Sequence, residues 1–274
     1  MSQPGLTGYE PSYADELAVI MRWGFAHMVR TDDGRESGDG GGGSVYLRLS
    51  TRSLEQPPRT PISASVTRIG APEADMEEGA ASPSAHALAI LRGGVWLRGA
   101  EDGGADDLQL VAPHGGTRVV VAHCGVVAPE AHAAVQRLVE EHFDGDASAV
   151  AHLQITSPDL LYNSWSARSS TADPVRGGGG GGLFVPPGGA HVEALLRDVP
   201  RDAPIVSVLD GHPAALGWLG SVYGHRVSAL GVGRFGQSGD VPDLYEYYGA
   251  SSSFSSSSSF VHAAIFRASL SSGV

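Results

Sequence analysis

The stretch that decides the fold is Ile205–Gly249, with the sequence IVSVLDGHPAALGWLGSVYGHRVSALGVGRFGQSGDVPDLYEYYG. Its apolar runs and turn residues follow the order strand, turn, helix, strand, glycine-rich loop, helix. We predict strands over Ile205–Leu209 and Arg226–Leu230, and helices over Pro213–Tyr223 and Val241–Tyr248. The first three of these elements form a beta–alpha–beta unit, which is typical of α/β proteins.

A second unit of the same kind precedes it. Thr117–Ala122 is almost entirely apolar, as expected for a strand of a sheet that is covered on both faces. We predict a turn at His123-Cys124-Gly125, a helix over Pro129–His142 and a strand over Val150–Ile155. This order and spacing indicate a parallel pair of strands with a right-handed crossover.

The first half of the chain carries a predicted helix over Pro11–Met28, because apolar residues recur there at spacings of three and four. Its predicted apolar face consists of Ala14, Leu17, Met21, Phe25 and Met28. A short strand is predicted over Val45–Leu49, and Arg48 lies within it. Two further short strands are predicted over Gly94–Arg98 and Leu108–Ala112.

The predicted elements are separated by segments of biased composition. Residues 60–90 have little periodicity and are predicted to be a linker. A run of six glycines marks an insert over residues 174–189, ahead of a predicted helix at His191–Val199. Residues 250–274 form a serine-rich tail, with one short predicted helix over Val261–Ala268.

Composition excludes several classes of function. The net charge is −12, which argues against a nucleic-acid partner because phosphate binding needs a basic face. The chain contains no lysine, so lysine-based catalysis is excluded. No apolar run approaches the roughly 20 residues that cross a bilayer, and the N-terminus carries no targeting pattern. We therefore expect no membrane partner and a cytoplasmic protein, or one of an organelle matrix if a preceding segment is missing.

The candidate functional residues lie in two loops of the deciding stretch. Asp210 and His212 follow a predicted strand, at the sheet edge where ligands bind in open α/β sheets, and His212 could move a proton or contact an anion. The alternative is that Asp210 or His212 caps the next helix, with Pro213 in its first turn. Gln237 and Ser238 are further candidates in the loop after the second strand.

A glycine pattern in the same stretch resembles a dinucleotide-binding fingerprint. Gly231, Gly233 and Gly236 have the required spacing and follow a predicted strand. However, the helix does not open within the motif, and no acidic residue stands at the required distance. We therefore interpret the pattern as a tight loop between strand and helix, and a stand-alone Rossmann oxidoreductase as the weakest hypothesis.

The remaining reactive residues do not form a predicted site. His123 and Cys124 are adjacent near the end of a strand, so their side chains point to opposite faces and do not converge on one metal ion. Cys124, the only cysteine, is expected to be buried rather than reactive. We assign no catalytic, cofactor-binding or metal-binding residue.

Several blocks of sequence resemble one family. VLDGHPAALGWLGSVYGHRV and LGVGRFGQSGDVPDLYEYYG, with Phe235-Gly236-x-Ser238 ahead of DLYxxYG, resemble the C-terminal domain of the transketolase-like, thiamine-diphosphate-dependent enzymes. The closest resemblance is to the homodimeric pyruvate dehydrogenase E1 component, which ITSPDLLYNSW also resembles. YEPSYADELAVIMRWGFAHM and VYLRLSTRSLEQP resemble the last helix and strand of the preceding pyrimidine-binding domain.

The resemblance implies a fold and a division into domains. Residues 1–59 would be the end of a pyrimidine-binding domain. Residues 91–249 would be a transketolase C-terminal-like domain, a three-layer αβα structure with a mostly parallel sheet. These enzymes hold thiamine diphosphate and Mg²⁺ with a GDG…N motif and an activating glutamate, and neither is matched here. The cofactors are therefore expected in the complete family enzyme and not on this chain alone.

The resemblance also implies a function. The chain would be the C-terminal portion of a pyruvate dehydrogenase E1-like enzyme that scaffolds or dimerises and is not catalytic alone. Its partners would be a second copy, the remaining E1 domains or the acyltransferase core of a 2-oxo acid dehydrogenase complex. The alternative is a non-catalytic assembly or interaction module, or a truncated gene product without activity.

Overall fold

A computed structural model describes residues 6–29, 43–55, 85–97, 112–169, 190–233, 238–240, 243–244 and 247. Several predictions fall outside these residues: the strand at Leu108–Ala112 except its last residue, most of the linker, the glycine insert, the serine-rich tail with Val261–Ala268, and Gln237. Ala112 is described and is not in a strand. In the predicted helix Val241–Tyr248, the described residues Asp243, Leu244 and Tyr247 are helical.

The N-terminal unit contains a parallel pair of short strands and two helices. β1 pairs with β2 in parallel, from Leu6 opposite Ser44 to Tyr9 opposite Leu47. In chain order the four elements are β1 (Leu6–Tyr9), α1 (Ala14–Met28), β2 (Ser44–Leu47) and α2 (Ala85–Leu91). β1 was not predicted, and α2 occupies the end of the segment predicted as a linker.

The central sheet has five strands in the order β3-β5-β4-β6-β7. β3 is antiparallel to β5, and the other three pairs are parallel. The strands are β3 (Gly94–Leu97), β4 (Val119–Cys124), β5 (Val150–Ile155), β6 (Ile205–Leu209) and β7 (Val227–Leu230). The prediction of a mostly parallel sheet is confirmed.

Helices cover both faces of this sheet and make the three predicted layers. One face packs against α3 (Ala128–His142), through residues such as Val135 and Leu138. The opposite face packs against α4 (Pro158–Ser169), α5 (His191–Leu196) and α6 (Ala214–Gly217). A 3-10 helix at Trp218–Val222 continues α6, so the predicted single helix over Pro213–Tyr223 is divided in two. α5 ends at Leu196, before the predicted end at Val199.

The predicted turn after β4 begins two residues too early. His123 and Cys124 are the last two residues of the strand, paired with Gln154 and Ile155 of β5. The chain turns at Gly125, whose φ of 69° lies in the left-handed region that favours glycine. Pairing with β5 therefore keeps His123 and Cys124 in the central strand, even though the sequence pattern there is less apolar.

The predicted buried face of α1 is wrong. Met21, Phe25 and Met28 are 39%, 58% and 43% exposed, whereas Val19 and Ile20 are fully buried. The buried side packs on a cluster that includes Tyr9 of β1 and Ile90 and Leu91 of α2. α1 therefore has two apolar faces, and within the described residues only one of them is covered.

This assignment of the two faces predicts a contrast in stability. Ile20→Ala should lower the free energy of unfolding by about 2–5 kcal/mol, because it leaves a cavity in a packed cluster. Phe25→Ala should change it by less than about 0.5 kcal/mol, as exposed substitutions usually do. Urea denaturation of the two variants tests this, and a larger effect of Phe25→Ala would contradict the observed packing.

Candidate functional site

The candidate site lies where the carboxyl ends of β4 and β6 meet the N-terminal unit. Asp210 follows β6 directly, and Cys124 ends β4. Glu10 follows β1 and Arg48 follows β2, which places both at the same end of their parallel pair. Sequence reasoning predicted Asp210 at this edge, but it treated Arg48 only as a strand residue and did not consider Glu10.

Arg48 joins the two parts of the structure through its guanidinium group. Nη1 donates to Glu10 Oε2 over 2.9 Å. Nη2 donates to the backbone oxygen of Asp210 and lies 3.8 Å from its carboxylate Oδ2. Burial acts to lower the pKa of Arg48, but the hydrogen bond and charge of Glu10 and the charge of Asp210 outweigh it, so the pKa is raised. The group is a permanent cation between two carboxylates.

Hydrogen bonds to backbone groups hold the N-terminal unit against the same edge. The Glu10 N–H donates to the Thr156 oxygen over 2.8 Å, just after the end of β5. The Ser12 hydroxyl donates to the Gly125 oxygen over 2.9 Å, just after the end of β4. The fully buried carboxylate of Glu16 accepts from the Ser12 N–H at 2.9 Å, at the start of α1. The segment between β1 and α1 is thus fixed by polar contacts.

Cys124 is buried, as predicted, and does not act as a nucleophile in this structure. Its thiol is 1% exposed. Burial is the largest cause that raises its pKa, and the neighbouring Glu10 carboxylate raises it further, while Arg48 opposes the shift. Because the reactive species is the thiolate, a thiol held in its protonated form is unreactive.

The predicted loop residues are only partly brought together. His212 is exposed, and its Nδ1 accepts from the Ala214 N–H at 3.2 Å, so the ring contacts the backbone at the start of α6. This contact corresponds to the capping alternative for His212, whereas Asp210 interacts with Arg48 instead. Ser238 is exposed. Gln237 lies outside the described residues.

The glycine-rich loop is close-packed around its first glycine. A Cβ atom on Gly231 would lie 2.3 Å from the Gly211 oxygen and 3.1 Å from the Leu209 oxygen. The Val232 N–H also donates to the Gly211 oxygen over 2.8 Å. Gly231 is therefore needed where two backbone segments touch, which accounts for it without a bound phosphate.

The described residues do not fit a magnesium site. Among them, no group of three or more His, Cys, Asp or Glu side chains is arranged to hold a metal ion. The letters GDG do occur at positions 38–40, outside the described residues, but the only asparagine of the chain is Asn163, far along on α4.

No helix in the described part of the chain is long and apolar enough to cross a membrane.

Comparison with known proteins identifies the fold. No protein-family profile and no curated protein matches the chain. Among solved structures, it is similar to a transketolase variant from Pichia stipitis, with a TM-score of 0.51 and 13% sequence identity. The complex of that transketolase with sedoheptulose 7-phosphate gives the same values. The chain has a transketolase-like fold. Each match covers 99% of this chain and 26% of the transketolase, so the chain spans about a quarter of its length.

Within the transketolase-like fold, the arrangement around Arg48 acts as an ion-paired connection between two parts of the chain. Arg48 contacts the carboxylates of both Glu10 and Asp210. The geometry favours a structural role.

Removing the guanidinium should test that role. Arg48→Met should lower the free energy of unfolding by about 1–2 kcal/mol, because charge-assisted hydrogen bonds are lost at a partly exposed site. The loss should shrink at high salt, where charges are screened. Urea denaturation at low and high salt measures both effects. Arg137→Met is the matched control, since it breaks a helical pair with Glu141 at 3.1 Å and should cost only about 0.3–0.5 kcal/mol. Equal effects of the two substitutions would contradict a special role for Arg48.

The packing explanation of the glycine loop is tested by a matched pair of substitutions. Gly231→Ala should lower the free energy of unfolding by about 1–3 kcal/mol, because its Cβ would collide with backbone oxygens. Gly233→Ala should be nearly neutral, since among the described residues no atom beyond its chain neighbours lies within 4 Å of the position that its Cβ would take. Urea denaturation distinguishes them. A thermal shift of the unaltered protein with NAD or NADP would contradict the packing explanation and favour nucleotide binding.

Proposed function

We propose that this chain is the C-terminal part of a thiamine-diphosphate-dependent enzyme of the pyruvate dehydrogenase E1 type, and that it scaffolds an assembly rather than catalysing alone. The observation that carries the proposal is a transketolase-like fold in a chain that spans 26% of the transketolases it matches. The sequence blocks around Asp210 and Ser238 support the E1 type in particular. Its partners would be a second copy or the remaining E1 domains, and the acyltransferase core of a 2-oxo acid dehydrogenase complex would be a further partner.

The uncovered side of the N-terminal unit supports a docked partner. Large apolar side chains are exposed on α1 and beside β2, and contiguous apolar patches are typical of interaction sites. The exposed fractions are Met21 39%, Phe25 58%, Met28 43%, Val29 76%, Tyr46 55% and Leu49 53%. Within the described residues, the sheet of this unit has two parallel strands, and parallel sheets are ordinarily larger and covered on both faces. Further strands and helices of a partner domain would complete it.

The cofactor would be held by that partner. Thiamine diphosphate supplies the electron sink for 2-oxo acid decarboxylation in the complete enzyme. A Mg²⁺ ion needs several free oxygen ligands, and the carboxylates of Glu10 and Asp210 both face Arg48. Because these residues do not fit the metal, no catalytic step is assigned to them.

A non-catalytic interaction module is the second candidate. The observation that favours it is the absence, in the described part of the chain, of any group of side chains that could hold a metal ion. In that case the apolar side of the N-terminal unit would bind a partner that has no thiamine cofactor. The two candidates share a docking surface and differ in the chemistry of the complex.

The experiment measures thiamine-diphosphate binding by calorimetry, with Mg²⁺ present, and CO₂ release from pyruvate. We expect neither from the isolated chain. Mixing it with the cofactor-binding domains of a pyruvate dehydrogenase E1, expressed separately, should restore both. Phe25→Asp should reduce the restored activity at least about tenfold if its side chain is buried on docking, since an unpaired buried charge is strongly unfavourable. Ala167→Asp, on the exposed side of α4, should leave it unchanged.

Each outcome separates the candidates. Decarboxylation by the isolated chain would contradict its dependence on a partner. Complementation that Phe25→Asp does not weaken would contradict α1 as the docking face. Failure of the mixture to bind the cofactor or to release CO₂ would contradict the enzyme assignment and favour the interaction module.

A further inference from the structure

A cluster of buried histidines lies on the face of the sheet that α3 covers. His123 belongs to β4 and His152 to β5, and both are fully buried. The fully buried Gln154 lies beside His123 in the strand register, on the same face. His132 of α3 lies above them, with its ring centroid 6.0 Å from that of His152. None of these side chains belongs to the site around Arg48.

The hydrogen bonding within this cluster is incomplete. Nδ1 of His123 and Nε2 of His152 are 3.0 Å apart, so one ring donates a proton and the other accepts it. The second nitrogen of each ring, Nε2 of His123 and Nδ1 of His152, has no partner among the described residues. The same is true of Nε2 of His132 and of both amide atoms of Gln154. The shared hydrogen bond needs at least one neutral ring to accept it, and an added proton would leave an N–H group without an acceptor among the described residues.

Among the described residues, no negatively charged side chain on the neighbouring strands faces the cluster: the side chains there are apolar. β6 contributes Val206 and Val208 to this face, and Leu97 of β3 lies opposite His152. His132 of α3 is a further titratable side chain, and it can gain a positive charge but cannot supply a negative one. The buried acidic residue of α3 is Glu130, whose Oε1 lies 2.7 Å from Arg52 Nη1 in an ion pair.

We propose that His123, His132 and His152 form an acid-sensitive switch that releases α3 from the sheet when the protein is acidified. An added proton would enter on an unpartnered ring nitrogen and create a buried cation whose surroundings, among the described residues, are apolar side chains, histidines and the neutral amide of Gln154. Burying such a charge is so unfavourable that the cluster must gain access to water. α3 is the layer that covers the cluster, and its buried residues close in sequence to His132 are Ala131, Ala134 and Val135.

The direction of the pH effect follows from the same groups. Burial lowers the pKa of His123 to about 3, with a smaller contribution from His132. Burial and the other two histidines lower the pKa of His152, and burial lowers that of His132. The open form therefore binds protons that the closed form excludes. The closed form therefore has its full stability relative to the open form above the ordinary histidine pKa of about 6.5, and it loses that stability as the pH falls below this value. Each histidine that takes up a proton on opening favours the open form by about tenfold per pH unit.

Release of α3 from the sheet would affect the N-terminal unit through the ion pair between Arg52 and Glu130. Arg52 follows β2 and is held by Glu130 in the first turn of α3, while Leu54 packs on the α3 side of the sheet. Movement of α3 would remove both contacts. Acidification would then loosen the attachment of the N-terminal unit to the sheet. This inference does not depend on the proposed enzyme function.

The test is hydrogen exchange of the full chain at pH 7.5 and pH 5.5, with exchange rates corrected for the intrinsic effect of pH. Peptides from α3 should exchange at least about tenfold faster at pH 5.5. Peptides from β6, which carries no histidine, should change less. The double variant His123→Leu/His152→Leu should lose this acid response, because leucine suits the apolar layer and does not titrate. His114→Gln/His142→Gln, at two exposed positions, should retain it.

The outcomes decide the proposal in both directions. Equal protection of α3 at the two pH values would overturn it, whether or not the double variant folds. An acid response that persists in a folded double variant would also overturn it. Loss of the response in that variant, with retention in the control variant, would support the switch.

Discussion

The structure depends on one constraint: β4 is a central parallel strand that is buried on both faces. It pairs with β5 on one side and with β6 on the other, and all six of its residues are buried. A parallel sheet of this kind must be covered by helices on both faces. α3 covers one face, and α4 and α5 cover the other. The carboxyl ends of the strands are the part of the sheet that remains for polar contacts with the N-terminal unit.

This constraint explains how much of the fold is predictable from the sequence. Val150–Ile155 has its predicted bounds, because a short segment that lies between turn residues and in which apolar residues predominate has few other interpretations. His123 and Cys124 could not be placed by pattern, since pairing with β5 continues through them. The apolar face predicted for α1 is largely exposed for a different reason. Periodicity finds apolar faces, but it cannot tell which of two faces a neighbour such as α2 covers.

The candidate site was less predictable than the sheet because its parts are distant in sequence. Asp210 could be placed at the sheet edge from the strand that precedes it. Its contact with Arg48 joins residues 162 positions apart, and the contact of Arg48 with Glu10 joins residues 38 positions apart. No local pattern encodes such contacts. The one available signal was an arginine at the end of an apolar strand, which is unfavourable unless an anion accompanies it.

The N-terminal unit is joined to the sheet by an apolar cluster that includes Tyr9 and Val95 of β3, and also by polar contacts, which have a consequence of their own. Arg48 binds Glu10 and Asp210, Ser12 binds Gly125, and Arg52 binds Glu130. Interfaces between domains of one chain that are held in this way resemble transient protein–protein interfaces, and their charged contacts weaken with salt. The core of the sheet is mostly apolar, and its buried polar residues include the histidine cluster and Ser207. A partner that covered the exposed side of α1 would add apolar burial to a part of the structure whose attachment includes charged contacts.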